Sequence, residues 1–288
     1  LARNTDRMGL GTSTPEDNSP PPQALAENQE NSFSFVVPTE FVELPSKGRF
    51  YSEGHPLHGQ ETIEIKQMTA KEEDILTSRS LLKKGIALDR VIKSIIMNKR
   101  IDPDSLLVGD RNAIIVATRI SGYGSEYATQ VSCPSCTTKQ EYTFNLNSAN
   151  IYGGENVSEL DIVSNEDNTF TVQLPKTLIN ITFRLLSGKD EKSFIAGMET
   201  DRKQRQTTEK NVTRQIASMV VAVNGDSSLQ AIKYLVDNIP SIDSRHLRLA
   251  YRLAAPNVDL TQHFECNECD FEQDMEVPLT ADFFWPDR

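Results

Sequence analysis

Cys133-Pro-Ser-Cys136, set between Thr129-Gln-Val-Ser132 and Glu141-Tyr-Thr-Phe-Asn-Leu146, recurs as Cys266-Asn-Glu-Cys269, set between His263-Phe-Glu265 and Asp274-Met-Glu-Val-Pro-Leu279. These are the chain's four cysteines, and none is left over. Tyr142, Phe144 and Leu146 alternate, as do Met275, Val277 and Leu279, so each pair is expected at the tip of a β-hairpin. A C-x-x-C turn aims two thiolates at one point about 2.3 Å from a metal, and two such knuckles make a closed four-thiolate site. The expectation is one structural Zn2+ per chain held by Cys133, Cys136, Cys266 and Cys269, although 129 residues (137 to 265) separate the pairs. Unmetallated thiols and redox chemistry are the alternatives. A dithiol oxidoreductase sets its C-x-x-C at a helix N-terminus, and neither pair is followed by a helix signal.

Moving outward, a shift of 133 carries the second knuckle onto the first and continues upstream without a gap. It places Asp110 on Asp243, Val116 on Leu249, Ala117 on Ala250, Arg119 on Arg252 and Ile120 on Leu253. At a shift of 124 an apolar helical face recurs: Leu88, Val91, Ile92, Ile95 and Ile96 against Val212, Ile216, Met219, Val220 and Val223. Phe41-Val-Glu-Leu-Pro45 resembles Phe170-Thr-Val-Gln-Leu-Pro175, with strands expected next at 62–66 and 181–185. The reading is an internal duplication, each half running strand, helices, strand, knuckle, strand. The zinc is then expected on or near a pseudo-twofold axis. Thr69 with Glu72 reads as a capping box, Asp110 and Asp243 as N-caps, and Leu229 to Ile239 as a helix stopped by Pro240.

Residues 1–34 are rich in Pro, Ser, Asn, Gln and Thr and read as a disordered polar tail. The first half spans 35–150 with Cys133/Cys136, a polar linker 151–169, and the second half 170–288 with Cys266/Cys269. The 288 residues carry 30 basic and 41 acidic side chains, a net charge of −11, which argues against a groove that binds nucleic acid by neutralising phosphates. Mean hydropathy is −0.44, and no apolar run approaches the roughly 18 residues of a membrane span. The opening LARNTDRMGLG lacks the apolar stretch of a secretory signal, so a cytosolic location is expected.

No catalytic constellation emerges. The sequence has no G-x-S-x-G, G-x-x-x-x-G-K-[ST] or H-E-x-x-H. His55 and His58 lie in a Gly/Pro-rich turn, and His263 would be redundant beside four thiolates. Gly122-Tyr-Gly124 reads as a helix-ending turn, and Lys189 to Arg205 as a solvated helix face.

Val42-Glu-Leu-Pro-Ser-Lys-Gly-Arg-Phe-Tyr51, His55-Pro-Leu-His-Gly59, Ile65-Lys-Gln-Met-Thr-Ala-Lys-Glu-Glu-Asp-Ile-Leu76 and Gly122-Tyr-Gly124 leading to Cys133-Pro-Ser-Cys136 together resemble the baseplate hub proteins of T4-like tailed phages. The likeness is good over roughly 41–146 and vaguer beyond, where Cys266-Asn-Glu-Cys269 carries it. It implies a non-enzymatic hub subunit or assembly factor acting on other baseplate hub or tail proteins. The expected locations are the host cytoplasm during assembly and the virion tail baseplate. The combined expectation is an α+β protein of two related halves stapled by one zinc, with no nucleic-acid, membrane or small-molecule partner. The alternatives are a zinc-ribbon adaptor on nucleic acid or a C-x-x-C thiol-disulfide protein. Within this loop, Pro45 to Gly48 with Lys47 and Arg49 is expected to offer a docking surface.

Overall fold

Val42 faces inward from one strand and Ile63 and Ile65 from the next, and this alternation closes the first antiparallel hairpin, β1 (Thr39–Glu43) with β2 (Thr62–Lys66). This computed structural model describes residues 36–83, 85–203, 210–277 and 281–284, so the sequence readings of the tail at 1–34, of Arg205 and of Leu279 lie outside the described residues. Helices α1 (Ala70–Thr77), α2 (Arg79–Lys83), α3 (Ala87–Ile95) and α4 (Val108–Tyr123) follow. The first knuckle hairpin is β3 (Glu126–Ser132) with β4 (Lys139–Asn145). The expected linker carries structure of its own: β5 (Asn150–Tyr152) and β6 (Val163–Ser164). Then come β7 (Thr169–Gln173), β8 (Asn180–Arg184), α5 (Gly188–Lys203), α6 (Asn211–Met219), β9 (Val220–Val223), α7 (Leu229–Asn238) and α8 (Ser241–Ala254). The chain closes through β10 (Asn257–Asp259) and the second knuckle hairpin, β11 (Thr261–Glu265) with β12 (Glu272–Glu276). The result is a mixed α+β architecture of small antiparallel sheets: four hairpin-sized pairs and one four-stranded sheet, in the order β6-β7-β8-β9.

Two apolar cores form. The first gathers Ile65, Ile92, Ile95 and Ile114 with Tyr127 and Phe144 of the first knuckle hairpin, and it also takes in Leu260, Phe264, Val277 and Phe283 from the end of the chain. The second contains Phe170, Phe183, Ile216, Met219, Leu247 and Ala250. The C-terminal hairpin thus crosses back to the first core. Its approach is close: β10 pairs with β5, Asn112 donates to Asn257, and a Cβ on Gly109 would lie 1.9 Å from the Pro256 carbonyl oxygen.

One local device occurs twice. Thr69 opens α1, and its amide and hydroxyl donate to the carboxylate of Glu72, which also takes Lys66 from the end of β2. Ser187 opens the turn into α5, and its amide and hydroxyl donate to Asp190, which takes Arg184 from the end of β8. Spacing is 66/69/72 in one case and 184/187/190 in the other. Asp110 and Asp243 differ from the expectation, because the helices are capped by Leu107 and Pro240 and each Asp sits in the first turn. Their carboxylates instead hold the loops after β1 and β7. Asp110 accepts from the Ser46 amide at 2.9 Å and hydroxyl at 2.6 Å, and Asp243 from the amides of Lys176 and Thr177 and the Thr177 hydroxyl. Val220 and Val223, expected on a helix, lie on β9, and Val220 pairs with Phe183 of β8. Ile96, after α3, likewise bridges to Ile65 of β2. A β-branched pair that reaches a free sheet edge gains more from ladder bonds than from another helical turn.

Glu72 lends itself to a direct test. Burial pushes its pKa up, but the hydrogen bonds from Lys66, Ser94 and Thr69 outweigh this and hold it at about 2 against 4.5. A carboxylate depressed on folding contributes stability that is present above pH 4.5 and lost as pH falls towards 2. Urea unfolding of wild type should therefore weaken across that window. Glu72→Gln should lower stability by about 2 kcal/mol at pH 7 and flatten the acid dependence; an unchanged acid slope would remove Glu72 as its source.

Candidate metal centre

Each knuckle is built the same way. The Cys133 amide donates to the Thr138 carbonyl and the Thr137 amide to the Cys133 carbonyl; the Cys266 amide donates to Phe271 and the Asp270 amide to Cys266. Closing so tight a turn puts the residue after the second cysteine in the left-handed region, with φ +60° at Thr137 and +48° at Asp270. The turn brings both thiols of a pair to one side of the hairpin tip.

The two tips meet. All four sulfurs lie within 4.8 Å of one another, with Cys133 Sγ 3.8 Å from Cys269 Sγ and Cys136 Sγ 3.7 Å from Cys266 Sγ. A tetrahedron with metal–sulfur bonds of about 2.3 Å has edges of about 3.8 Å, whereas a disulfide requires about 2.05 Å. The cluster has the dimensions of a four-thiolate ion site. Cys133 and Cys266 are buried, Cys136 is half-buried and Cys269 is exposed. Thr138 holds the Cys136 thiol down to about 6 through hydrogen bonds to the sulfur, while the neighbouring Cys136 sulfur and desolvation push Cys269 up to about 12. One thiolate obliges its neighbour to keep a proton. A divalent cation removes that competition by taking all four as thiolates, so binding releases protons.

The hairpins are clamped along their sides as well. Gln140 donates to the Glu265 carbonyl and accepts from the Asn267 amide, Gln262 makes the equivalent two bonds with the backbone of Asn145, and the Tyr142 hydroxyl donates to the His263 carbonyl. The sulfur contacts are reciprocal, as a local twofold requires, but these clamps join β4 to β11, which are not equivalent strands at the 133 shift. The twofold expected through the ion therefore does not extend into the strands.

Sequence reading marked the four cysteines and the structure brings them together. It missed the glutamine clamps, since isolated glutamines carry no periodic signal, and it missed Arg119. That side chain is fully buried and donates to the carbonyls of Gly124, Glu126 and Phe283, tying the end of the chain to α4. Lys189 to Arg205 is only partly a solvated face: Lys192 meets Asp89 and Asp104, and Glu191 meets Arg111, whose other partner is Asp89. These pairs join α5 to α3 and α4.

The Leu57 amide donates to His55 Nδ1, which leaves the imidazole proton on Nε2 pointing at Ser105 Oγ at 2.8 Å, so this histidine cannot accept the serine proton. His263 is exposed beside Glu272 and Asp274. The expected docking loop is more embedded than its composition implies: Ser46 and Tyr51 are buried on Asp110, and Arg49 donates to the Ser46 and Gly153 carbonyls. Lys47 and Arg49 are both exposed, but Arg49 is tied down by these two bonds.

Residues 37–285, a span that contains both knuckles and the Asp110-held loop, match the family model described as T4 bacteriophage base plate protein. The chain belongs to this family. No curated protein and no solved structure gives a match. Membership makes this a bacteriophage baseplate protein, and among the described residues no helix is long and apolar enough to cross a membrane.

Proposed function

We propose that the chain is a non-enzymatic component of the baseplate hub, working through contacts with other hub or tail proteins, in which one structural zinc joins the mid-chain knuckle to the knuckle near residue 270. The observation that carries this is the meeting of four thiols, from two cysteine pairs with 129 residues between them, at tetrahedral spacing inside a baseplate-family chain. A closed four-thiolate site leaves no position for water or substrate, and zinc there acts as a cross-link. Cys133, Cys136, Cys266 and Cys269 are its ligands in this reading. The recurring strand-end cation boxes, the Asp-held loops and the matched knuckles support two related halves near 35–150 and 170–288, joined through 151–169. Nucleic acid, membrane and small molecules have no place in this reading.

The test is tandem purification of the tagged full chain from infected cells, with mass spectrometry of the co-purifying proteins and of purified virions. Hub and tail proteins in the pull-down are the expected result. Presence in virions assigns a subunit, and presence only in assembly intermediates assigns a factor that leaves. Co-purification without any tail protein would overturn the reading.

A further inference from the structure

α8 presents a stripe that the described residues leave uncovered. Ile242, Arg245, Leu249 and Arg252, spaced 3, 4 and 3 along the helix, are all exposed, Ile242 at 60% and Leu249 at 41%. At the 133 shift the same positions on α4 are Gly109, Asn112, Val116 and Arg119, and three of the four are taken up within the chain: Gly109 by Pro256, Asn112 by Asn257 and Arg119 by three carbonyls. Among the described residues no carboxylate lies within 4.0 Å of Arg245, Arg248 or Arg252, although the protein carries a net charge of −11. Unpaired arginines beside exposed aliphatic side chains on one helix face are the composition of an interface anchor.

A complementary surface lies on the other half. A groove of about 290 Å³ runs along α4, with Val116, Ala117 and Ile120 as its floor and Val42, Leu146 and Val258 among its walls. Phe41 and Ile151 stand exposed on its rims, at 72% and 42%. Its acidic side is Glu40 and Glu43 of β1, and Glu40 Oε1 is buried with no hydrogen-bond partner. A carboxylate oxygen withdrawn from water without a donor is costly, and a guanidinium is the donor that fits it best. Small alanines along the floor leave room for projecting Ile and Leu side chains.

We propose that this groove receives α8 of a second copy of the chain, with Ile242 and Leu249 against the α4 floor and Arg245 and Arg252 towards Glu40 and Glu43. The charge and shape needed by each surface are found on the other, and among the described residues of one chain they remain unpaired. Because the two surfaces differ, the contact is head to tail and builds a ring or an open chain of subunits. This inference stands apart from the zinc site and from hub placement, and can fail while both hold.

The experiment is sedimentation of the full metal-loaded chain over a concentration series at low and high salt. Wild type is expected to self-associate, less so in salt. Arg245→Glu with Arg252→Glu should weaken association at least about tenfold, as should Glu40→Lys with Glu43→Lys, while combining all four should restore it to within about threefold of wild type. Restoration separates pairing of the two surfaces from misfolding, which added substitutions would not repair. A wild-type chain that stays monomeric, single-surface variants that associate normally, or a four-fold variant that remains monomeric would each overturn the proposal. Binding of duplex DNA by a monomeric wild type through those arginines would do the same, in favour of a nucleic-acid surface.

Discussion

Cys133→Ser and Cys266→Ser are each expected to abolish tight metal binding and to cost the protein about the same stability, on the order of 5 kcal/mol. The magnitude follows from the topology. An ion held by both pairs closes a loop of more than 100 residues, and a cross-link of that span removes about 5 kcal/mol of chain entropy from the unfolded ensemble. Losing one thiolate leaves three, one pair incomplete, and the remaining sulfurs revert to sharing protons as Cys136 and Cys269 do without an ion. Chelation should bring wild type down to the variants and leave the variants unmoved. Elemental analysis of the purified chain, with thermal unfolding with and without chelator, reads both effects. A wild-type chain without stoichiometric zinc, or two substitutions of clearly unequal cost, would remove the staple.

Gly109→Ala is expected to destabilise by at least about 3 kcal/mol, opposite in sign to the usual gain of about 1 kcal/mol when Ala replaces Gly inside a helix. The added methyl would sit 1.9 Å from the Pro256 carbonyl oxygen and 2.8 Å from the Asn257 Cα, both backbone atoms next to a paired strand. No rotamer change relieves a clash between Cβ and main chain, so α4 and β10 must part and the Asn112 to Asn257 hydrogen bond goes with them. Gly54→Ala is the control, since nothing lies within 4 Å of the methyl it adds and its cost should stay within about 0.5 kcal/mol. Urea denaturation of the three proteins checks this; equal stabilities would mean that the chain end does not press on α4 as described.

The two sites also show where local pattern and long-range packing part company. The hairpin strands, the Thr69 and Glu72 box, the helix end at Gly124 with φ +83° and the stop at Pro240 were all legible, because each depends on side chains a few positions apart. Asp110 and Asp243 were misplaced for the same reason. An acid in the first turn of a helix reads as a cap, and only the folded chain shows that Ser46 and Thr177 have come in from more than 60 positions away to occupy it. Val220 and Val223 fit a helical face, but a waiting edge on β8 made them a strand.

Residue type and spacing were sufficient to establish that two knuckles exist, that each is a hairpin tip and that their cysteines suit a soft ion, since a C-x-x-C turn is closed by its own backbone bonds at Cys133 and Cys266. Tertiary packing established that the two tips meet at one cluster, that Arg119 is buried on carbonyls and that Ile242 and Leu249 of α8 stand exposed among the described residues. Those outcomes depend on which surfaces meet once the C-terminal hairpin crosses to the first core, and hydrophobic periodicity records only that a face is apolar, without naming the face it meets.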